Sequence, residues 1–271
     1  MPLASIPEPG SAAWGPLRAF ALCLIAGIVV AVAVTVRRYR KAGGEPAIIL
    51  DVAAWALPFG LSGAFAHELL NGKHGLWHIA SATVATIGLS GAIALGALGA
   101  WIACRRAGVP LGPVAGAAAP GVAFGLAIGG LAHWWAQDFY GRPASWWLAE
   151  RIAPEHRLPG YEYYATFQPA FLYQSAWCVL TGIAVIWAAK RFKLPGERTF
   201  MLAAAGYAIG GLWVESVRIG PQPRMLGMPN AAWGDLLVLI LALVILSRPR
   251  RPNRPYRTPL AGESPSHVIS T

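Results

Sequence analysis

The chain has 271 residues, of which 56% are hydrophobic and only 13% are charged. This composition is too apolar for an ordinary soluble domain. Apolar blocks of about 20 residues recur along the chain, and each is long enough to cross the hydrocarbon core of a bilayer as a helix.

The hydrophobic pattern predicts an all-α, polytopic membrane bundle of seven transmembrane helices. In chain order the predicted spans are residues 17–36, 48–70, 78–101, 112–135, 167–189, 199–217 and 231–247. Residues 1–16 contain no Lys or Arg and therefore lack the basic start of a cleavable signal peptide. We expect an extracytoplasmic segment (1–16), a transmembrane domain (17–247) and a basic, disordered cytoplasmic tail (248–271).

Basic residues follow every second predicted span. Fifteen of the 22 Lys and Arg residues lie after the first, third, fifth and seventh spans. Because Lys and Arg collect on the cytoplasmic side, we expect the N-terminus outside and the C-terminus inside. The net charge of +10 is thus a topology signal that also suits contact of the tail with anionic lipid. It does not indicate a nucleic-acid partner.

Two further features shape the predicted bundle. Glycines four residues apart in the fourth and sixth spans allow close helix contact, which predicts that these two spans lie at the centre. The long outer loop, residues 136–166, carries Trp146, Trp147 and several tyrosines, whose amphipathic rings prefer the headgroup zone. Within it, Ala144–Ile152 is predicted to lie in the interface as a short helix.

Ionisable residues cluster toward the outer leaflet. Such residues are costly in a membrane, so each needs a partner or a purpose. Tyr207, Gly211 and Glu215 are spaced by four and share one helical face, and Arg218 follows. Two explanations remain open: a ligand binds against this face, or Glu215 simply pairs with Arg218. Asp235 is interpreted as a boundary residue of the last span.

Common catalytic motifs are absent from the sequence: HExxH, a Walker loop, a CxxC pair and GxSxG do not occur. Protease, ATPase and redox functions therefore lose support. The three cysteines stand alone and are interpreted as small hydrophobic residues. No metal or cofactor is predicted.

Three stretches resemble one enzyme family. They are GGLAHWWAQDFYGRPA (129–144), FQPAFLYQ (167–174) and GYAIGGLWVESVR (206–218). Each is similar to a signature block of the prolipoprotein diacylglyceryl transferases, and they occur in the same order. The resemblance implies transfer of diacylglyceryl from phosphatidylglycerol to the lipobox cysteine thiol of a lipoprotein precursor, at the outer face of the bacterial cytoplasmic membrane.

The resemblance also implies roles for particular residues. Tyr207 and Glu215 match positions of the family pattern, and His133 stands where the family has an asparagine; these three are the catalytic candidates, since a His or a Tyr–Glu network suits removal of the thiol proton. The substrate-binding candidates are Asp138, Gly141, Arg142, Gln168, Tyr173 and Arg218; among them Asp138 shortens a family glutamate, Gln168 replaces a family histidine, and Arg142 lies at a variable position of the pattern. Arginine suits this role because its planar fork grips phosphate.

The sequence departs from the family pattern where arginines are expected. Gly130, Gly211 and Phe65 stand at three such positions, and we expect cavities where two of the guanidinium groups would sit. Three hypotheses therefore stand at this point: a diacylglyceryl transferase, a weak or inactive relative that binds phospholipid or lipoprotein precursor, and a small transporter. The transporter rests only on the spans and a few intramembrane acids.

Overall fold

The computed structural model of the chain describes residues 5–9, 16–70, 89–220 and 224–248, and most of these residues are helical. The helices are α1 (Pro16–Lys41), α2 (Pro46–Leu70), α3 (Leu89–Arg106), α4 (Leu111–Gly130), α5 (His133–Ala136), α6 (Ala170–Phe192), α7 (Gly196–Val217) and α8 (Asn230–Ser247). Two antiparallel ribbons join them, β1 (Glu150–Arg151) with β2 (Thr166–Phe167) and β3 (Arg224–Met225) with β4 (Met228–Pro229).

Five helical segments among the described residues are long and apolar enough to cross a membrane. They are Ala21–Lys41, Pro46–Gly63, Leu111–Ala136, Ala170–Phe192 and Gly196–Val217. Ala231–Ser247 is apolar but shorter. Residues 78–88 of the third predicted span and residues 249–271 of the tail lie outside the described residues. The chain is an integral, multi-pass membrane protein, while the count of seven spans and their orientation stay predictions.

Helix α4 lies at the centre of the bundle, in contact with α1, α6 and α7. Its glycines permit this, because a Cβ on Gly121 would lie 2.6 Å from the Ala31 carbonyl oxygen and one on Gly125 would lie 2.7 Å from that of Gly27. In the same way, α7 approaches α6 through Gly206. The glycine spacing therefore predicted the central helices correctly.

The ends of α1 and α3, whose last turns carry basic residues, lie at one end of the bundle together with the starts of α2 and α4. Tyr39 at the end of α1 packs with Ile49, Cys104 and Val114 from the adjoining ends of α2, α3 and α4. The start of α7 meets the start of α4, where Gly196 lies against Gly112. Consequently the end of α4, the start of α6 and the end of α7 all lie at the opposite end.

The connection from α5 to α6 is an ordered loop with its own small core of Tyr140, Ile152 and Phe167. The predicted short helix over Ala144–Ile152 is wrong, since this segment contains β1. Its backbone groups bond across the loop instead: Ala144 N–H donates to the Thr166 carbonyl at 3.1 Å, and Ile152 N–H donates to that of Ala165 at 3.2 Å. Cross-loop pairing has thus replaced local helical hydrogen bonds.

Candidate functional site

The three stretches that carry the family resemblance meet at one place. The Gly141 N–H donates to the Gln168 carbonyl at 2.7 Å, and the Gln168 N–H donates to that of Arg142 at 3.0 Å. On the other side, the Arg142 N–H donates to the Val217 carbonyl at 3.2 Å, and the Ile219 N–H donates to that of Tyr140 at 3.2 Å. Residues 139–143 are therefore held between the start of α6 and the end of α7.

Gly141 is required for this close approach. A Cβ at Gly141 would lie 2.9 Å from the Gln168 Cβ and 3.0 Å from the Val217 carbonyl oxygen. Both distances are shorter than ordinary van der Waals contact, and one partner is backbone. The glycine that the resemblance assigned to substrate binding thus has a structural task, since it lets the loop lie against two helix ends.

His133 and Asp138 form the first polar pair of the site. Helix α5 ends at Ala136, and Gln137 adopts a left-handed backbone conformation with φ of 51°. The Gln137 side-chain oxygen accepts the Ala153 N–H at 2.8 Å and fixes this turn. The turn brings the Asp138 carboxylate to 2.7 Å from His133 Nδ1. A carboxylate at Nδ1 fixes the orientation of the imidazole ring.

Glu215 and Arg218 form the second pair. The Arg218 guanidinium donates to the Glu215 carboxylate at 2.9 Å, and both side chains are largely buried, with 13% and 11% of their surfaces exposed. Arg218 also lies over the Phe139 ring, 4.2 Å from its centroid, and the His133 ring is 4.9 Å from the same centroid. The two polar pairs therefore meet around Phe139.

Asp235 is a site residue that the sequence interpretation missed. It extends from α8 onto the face of α7 that carries Tyr207, Gly211 and Glu215, and its carboxylate fills the space that a Cβ at Gly211 would need. Asp235 also lies within electrostatic range of Tyr207 and Glu215. The interpretation of Asp235 as a boundary residue is therefore incomplete, because its carboxylate lies against the motif face of α7.

The cavities expected at the missing arginines are not observed at the two described positions. At Gly211 the Asp235 carboxylate fills the space, and at Gly130 the Ser175 hydroxyl lies 2.7 Å from where a Cβ would be. Ser175 is buried, and its hydroxyl has no hydrogen-bond partner within the described ranges. Phe65, the third position, lies within α2, and its side chain is not described.

The remaining predicted residues line the rim of this region. The Arg142 side chain is exposed and donates to the Ser216 carbonyl at 3.3 Å. The Tyr173 ring on α6 stacks on Trp213 of α7, with ring centroids 5.8 Å apart. Gln168 is connected to the site through its backbone.

Glu150 on β1 is a second residue that the sequence interpretation missed. Only 1% of its surface is exposed, and neither carboxylate oxygen has a hydrogen-bond partner in the part of the chain that the structure describes. Burial raises the pKa of Glu150 to about 8, and the nearby charge of Asp138 adds to this effect. The sequence gives no sign of this burial, because a Glu followed by an Arg in a loop is typical of exposed positions.

The arrangement suits proton transfer and anion binding. The His133–Asp138 pair has the geometry of an oriented base, and the Arg218 guanidinium can face a developing negative charge. Within the described ranges, no three His, Cys, Asp or Glu side chains come together as metal ligands.

Comparison with known proteins supports one family. A family model described as prolipoprotein diacylglyceryl transferase matches residues 12–248. The phosphatidylglycerol–prolipoprotein diacylglyceryl transferase of Streptomyces avermitilis is 40% identical over 269 residues, covering 94% of this chain and 78% of the relative. The proteins of the same name from Streptomyces griseus and Frankia alni are 39% and 41% identical, covering 94% and 96% of this chain and 81% and 71% of the relatives. The chain therefore belongs to the prolipoprotein diacylglyceryl transferase family.

Proposed function

We propose that this protein transfers a diacylglyceryl group from phosphatidylglycerol to the lipobox cysteine thiol of lipoprotein precursors. One observation carries the proposal: the His133–Asp138 pair and the Glu215–Arg218 pair converge on Phe139 at one end of the bundle. A base and a cation next to each other are what thiol alkylation with a phosphate leaving group requires.

In the proposed reaction, His133 accepts the proton of the cysteine thiol. Asp138 holds Nδ1 at 2.7 Å, so that Nε2 takes the proton from the cysteine thiol. The thiolate attacks the glycerol carbon, a carbon–sulfur bond forms, and the carbon–oxygen bond to the phosphate breaks. Glycerol-1-phosphate leaves with the electron pair, and the proton passes from His133 to solvent or to the departing phosphate.

In the proposed reaction, two arginines contact the phosphate group. Arg218 is held by Glu215 at 2.9 Å, so its charge is positioned before the reaction and does not have to reorganise. Arg142 lies exposed at the rim, where it can contact the lipid phosphate. Tyr207 and Tyr173 complete the proposed set, Tyr207 on the same face of α7 as Glu215 and Tyr173 near the start of α6.

The proposal includes the location of the reaction. We place the protein in the bacterial cytoplasmic membrane with seven spans, N-terminus outside and C-terminus inside, and the site at the outer face. The grouping of the basic helix ends at the opposite end of the bundle supports this orientation. Exposed rings in the outer loop support it too, since 63% of the Trp147 surface and 97% of the Tyr163 surface are exposed.

The test is transfer to a lipobox peptide by the purified protein in phosphatidylglycerol nanodiscs, measured by mass spectrometry. We expect Glu215→Ala to lower the rate by about 10²–10³, because the Arg218 cation loses the group that positions it, and Tyr207→Phe to abolish transfer. Asp51→Asn, an exposed residue of α2 at the other end of the bundle, serves as the matched control. Transfer that persists in both site variants would refute the assignment.

A weak or inactive relative that binds phospholipid or precursor is the second candidate. Asp235 favours it, because a carboxylate now fills the space at Gly211 where the family pattern has an arginine. Complementation of a strain depleted of its own transferase separates the two, since growth supported by the unmodified chain requires catalysis. The Gly130→Arg/Gly211→Arg double variant, run alongside, reports whether restored cations increase activity.

A further inference from the structure

The N-terminal segment, residues 5–9, lies along the edge of β1 that does not pair with β2. The Ile6 N–H donates to the Ala149 carbonyl at 2.8 Å, and the Arg151 N–H donates to the Ile6 carbonyl at 3.0 Å. Together these bonds make one step of a parallel ladder between Ile6 and Glu150. Because the other edge of β1 pairs with β2, the segment acts as a third strand.

This third strand is held by few bonds. The segment reads Ser-Ile-Pro-Glu-Pro, and its two prolines have no N–H to donate to a neighbouring strand. Apart from the two bonds at Ile6, the segment has one further hydrogen bond to the rest of the described chain. In it, the Trp134 indole N–H donates to the Pro7 carbonyl at 3.1 Å. Three bonds of modest net strength allow the segment to leave the edge.

The edge lies beside the proposed site. Trp134, which contacts the segment, directly follows His133 in α5. Glu150, at the centre of the ladder step, is close enough to Asp138 for their charges to interact. An extended chain on this edge therefore lies close to residues that adjoin the His133–Asp138 pair.

The edge has the chemistry for an extended peptide of varied sequence. It offers the Ala149 carbonyl and the Arg151 N–H, both main-chain groups, to the next strand. Strand addition of this kind takes its affinity from main-chain hydrogen bonds and so tolerates different side chains. The proposed acceptor is a cysteine within a precursor chain, and a precursor in extended conformation offers the main-chain groups that this edge can bond.

We propose that the Ala149–Arg151 edge of β1 is the docking strand for the precursor chain next to its acceptor cysteine. Residues 5–9 occupy this edge within the same molecule and compete with the precursor. This inference rests on the proposed function for one point, the identity of the peptide.

The test measures binding of a synthetic lipobox peptide, with serine in place of its cysteine, to the full chain in phosphatidylglycerol nanodiscs. Ile6→Pro removes the N–H that bonds to Ala149, and we expect it to lower the peptide Kd about tenfold by releasing the intramolecular competitor. Deletion of residues 2–9 should do the same. Glu8→Gln, which leaves the ladder step intact, should leave the Kd unchanged.

A second ligand tests the bonding mode. The same peptide with its backbone nitrogens N-methylated keeps every side chain but cannot donate to Ala149, and we expect it to bind at least about tenfold more weakly. An unchanged or raised Kd in both Ile6→Pro and the deletion, with the thermal unfolding temperature intact, would overturn the proposal. So would equal binding of the methylated peptide.

The two proposals fail in different ways. Peptide binding that responds to Ile6→Pro in a protein that transfers no lipid would refute the proposed function and retain the docking edge. Lipid transfer with a peptide KM that ignores Ile6→Pro would retain the function and refute the docking edge.

Discussion

Glu150 should make the folded protein less stable as the pH rises, and Glu150→Gln should remove this dependence. The carboxyl is buried on β1, and neither of its oxygens has a hydrogen-bond partner among the described residues. Its pKa is raised by burial to about 8 from an ordinary 4.5, with Asp138 as the second cause. The neutral acid is therefore the form that the fold accommodates.

The sign and size follow from proton linkage. Below about pH 4.5 Glu150 is protonated in both states, so its contribution is constant. Between that pH and about 8 the folded state keeps a proton that the unfolded state releases, and the free energy of unfolding falls by about 1.4 kcal/mol per pH unit. Taken over the whole interval, the loss is about 5 kcal/mol.

The assay is urea unfolding in detergent micelles at a series of pH values from 5 to 8.5, with the wild type and Glu150→Gln compared at each. Because the amide cannot ionise, the difference between the two proteins should grow with pH in favour of the variant. Glu155→Gln, an exposed residue of the same loop, should run parallel to the wild type. A difference between wild type and Glu150→Gln that stays constant within about 1 kcal/mol, or shifts toward the wild type, would refute the burial argument.

Three further substitutions test the packing of the site, each measured by unfolding in micelles. Gly211→Ala should lower stability by about 1–3 kcal/mol because its Cβ overlaps the Asp235 carboxylate, and adding Asp235→Ala should recover most of the loss; no recovery would contradict the contact. Gly141→Ala should cost about 1–3 kcal/mol and lower transfer by pushing the loop off the two helix ends; normal activity would speak against that role. The Tyr140 hydroxyl donates to the His156 carbonyl at 2.8 Å and accepts the Leu158 N–H at 3.0 Å, so Tyr140→Phe should cost about 1–3 kcal/mol, and a neutral effect would contradict these bonds.

The sequence was sufficient for the features that depend on one helix at a time. Long apolar blocks predict membrane-crossing helices because a bilayer demands about 20 apolar residues in each. Glycines at a spacing of four predict which helices pack closely, and Gly121 and Gly125 do bring α4 against α1. The sequence also predicted that His133, Asp138, Glu215 and Arg218 lie toward the same end of the bundle, while their meeting around Phe139 depends on contacts between segments.

Features that depend on pairing between distant segments could not be predicted in this way. The segment Ala144–Ile152 has aromatic and charged residues typical of an interfacial helix, but its partners are Ala165 and Thr166 from the far side of the loop. The docking of Ile6 on β1 joins residues over 140 positions apart. Such contacts leave no local pattern in the sequence, because they depend on where the flanking helices end.

Asp235 changes what the missing arginine at Gly211 means. An empty space would accept a guanidinium, and a restored arginine would then face the substrate phosphate. In this protein the Asp235 carboxylate fills that space, so an arginine introduced at 211 is drawn to this carboxylate and away from the substrate phosphate. A failure of Gly211→Arg to increase activity would therefore not show that the site lacks transferase chemistry. The decisive comparison is Gly211→Arg with and without Asp235→Asn, because only the combined change adds an uncompensated cation at this position.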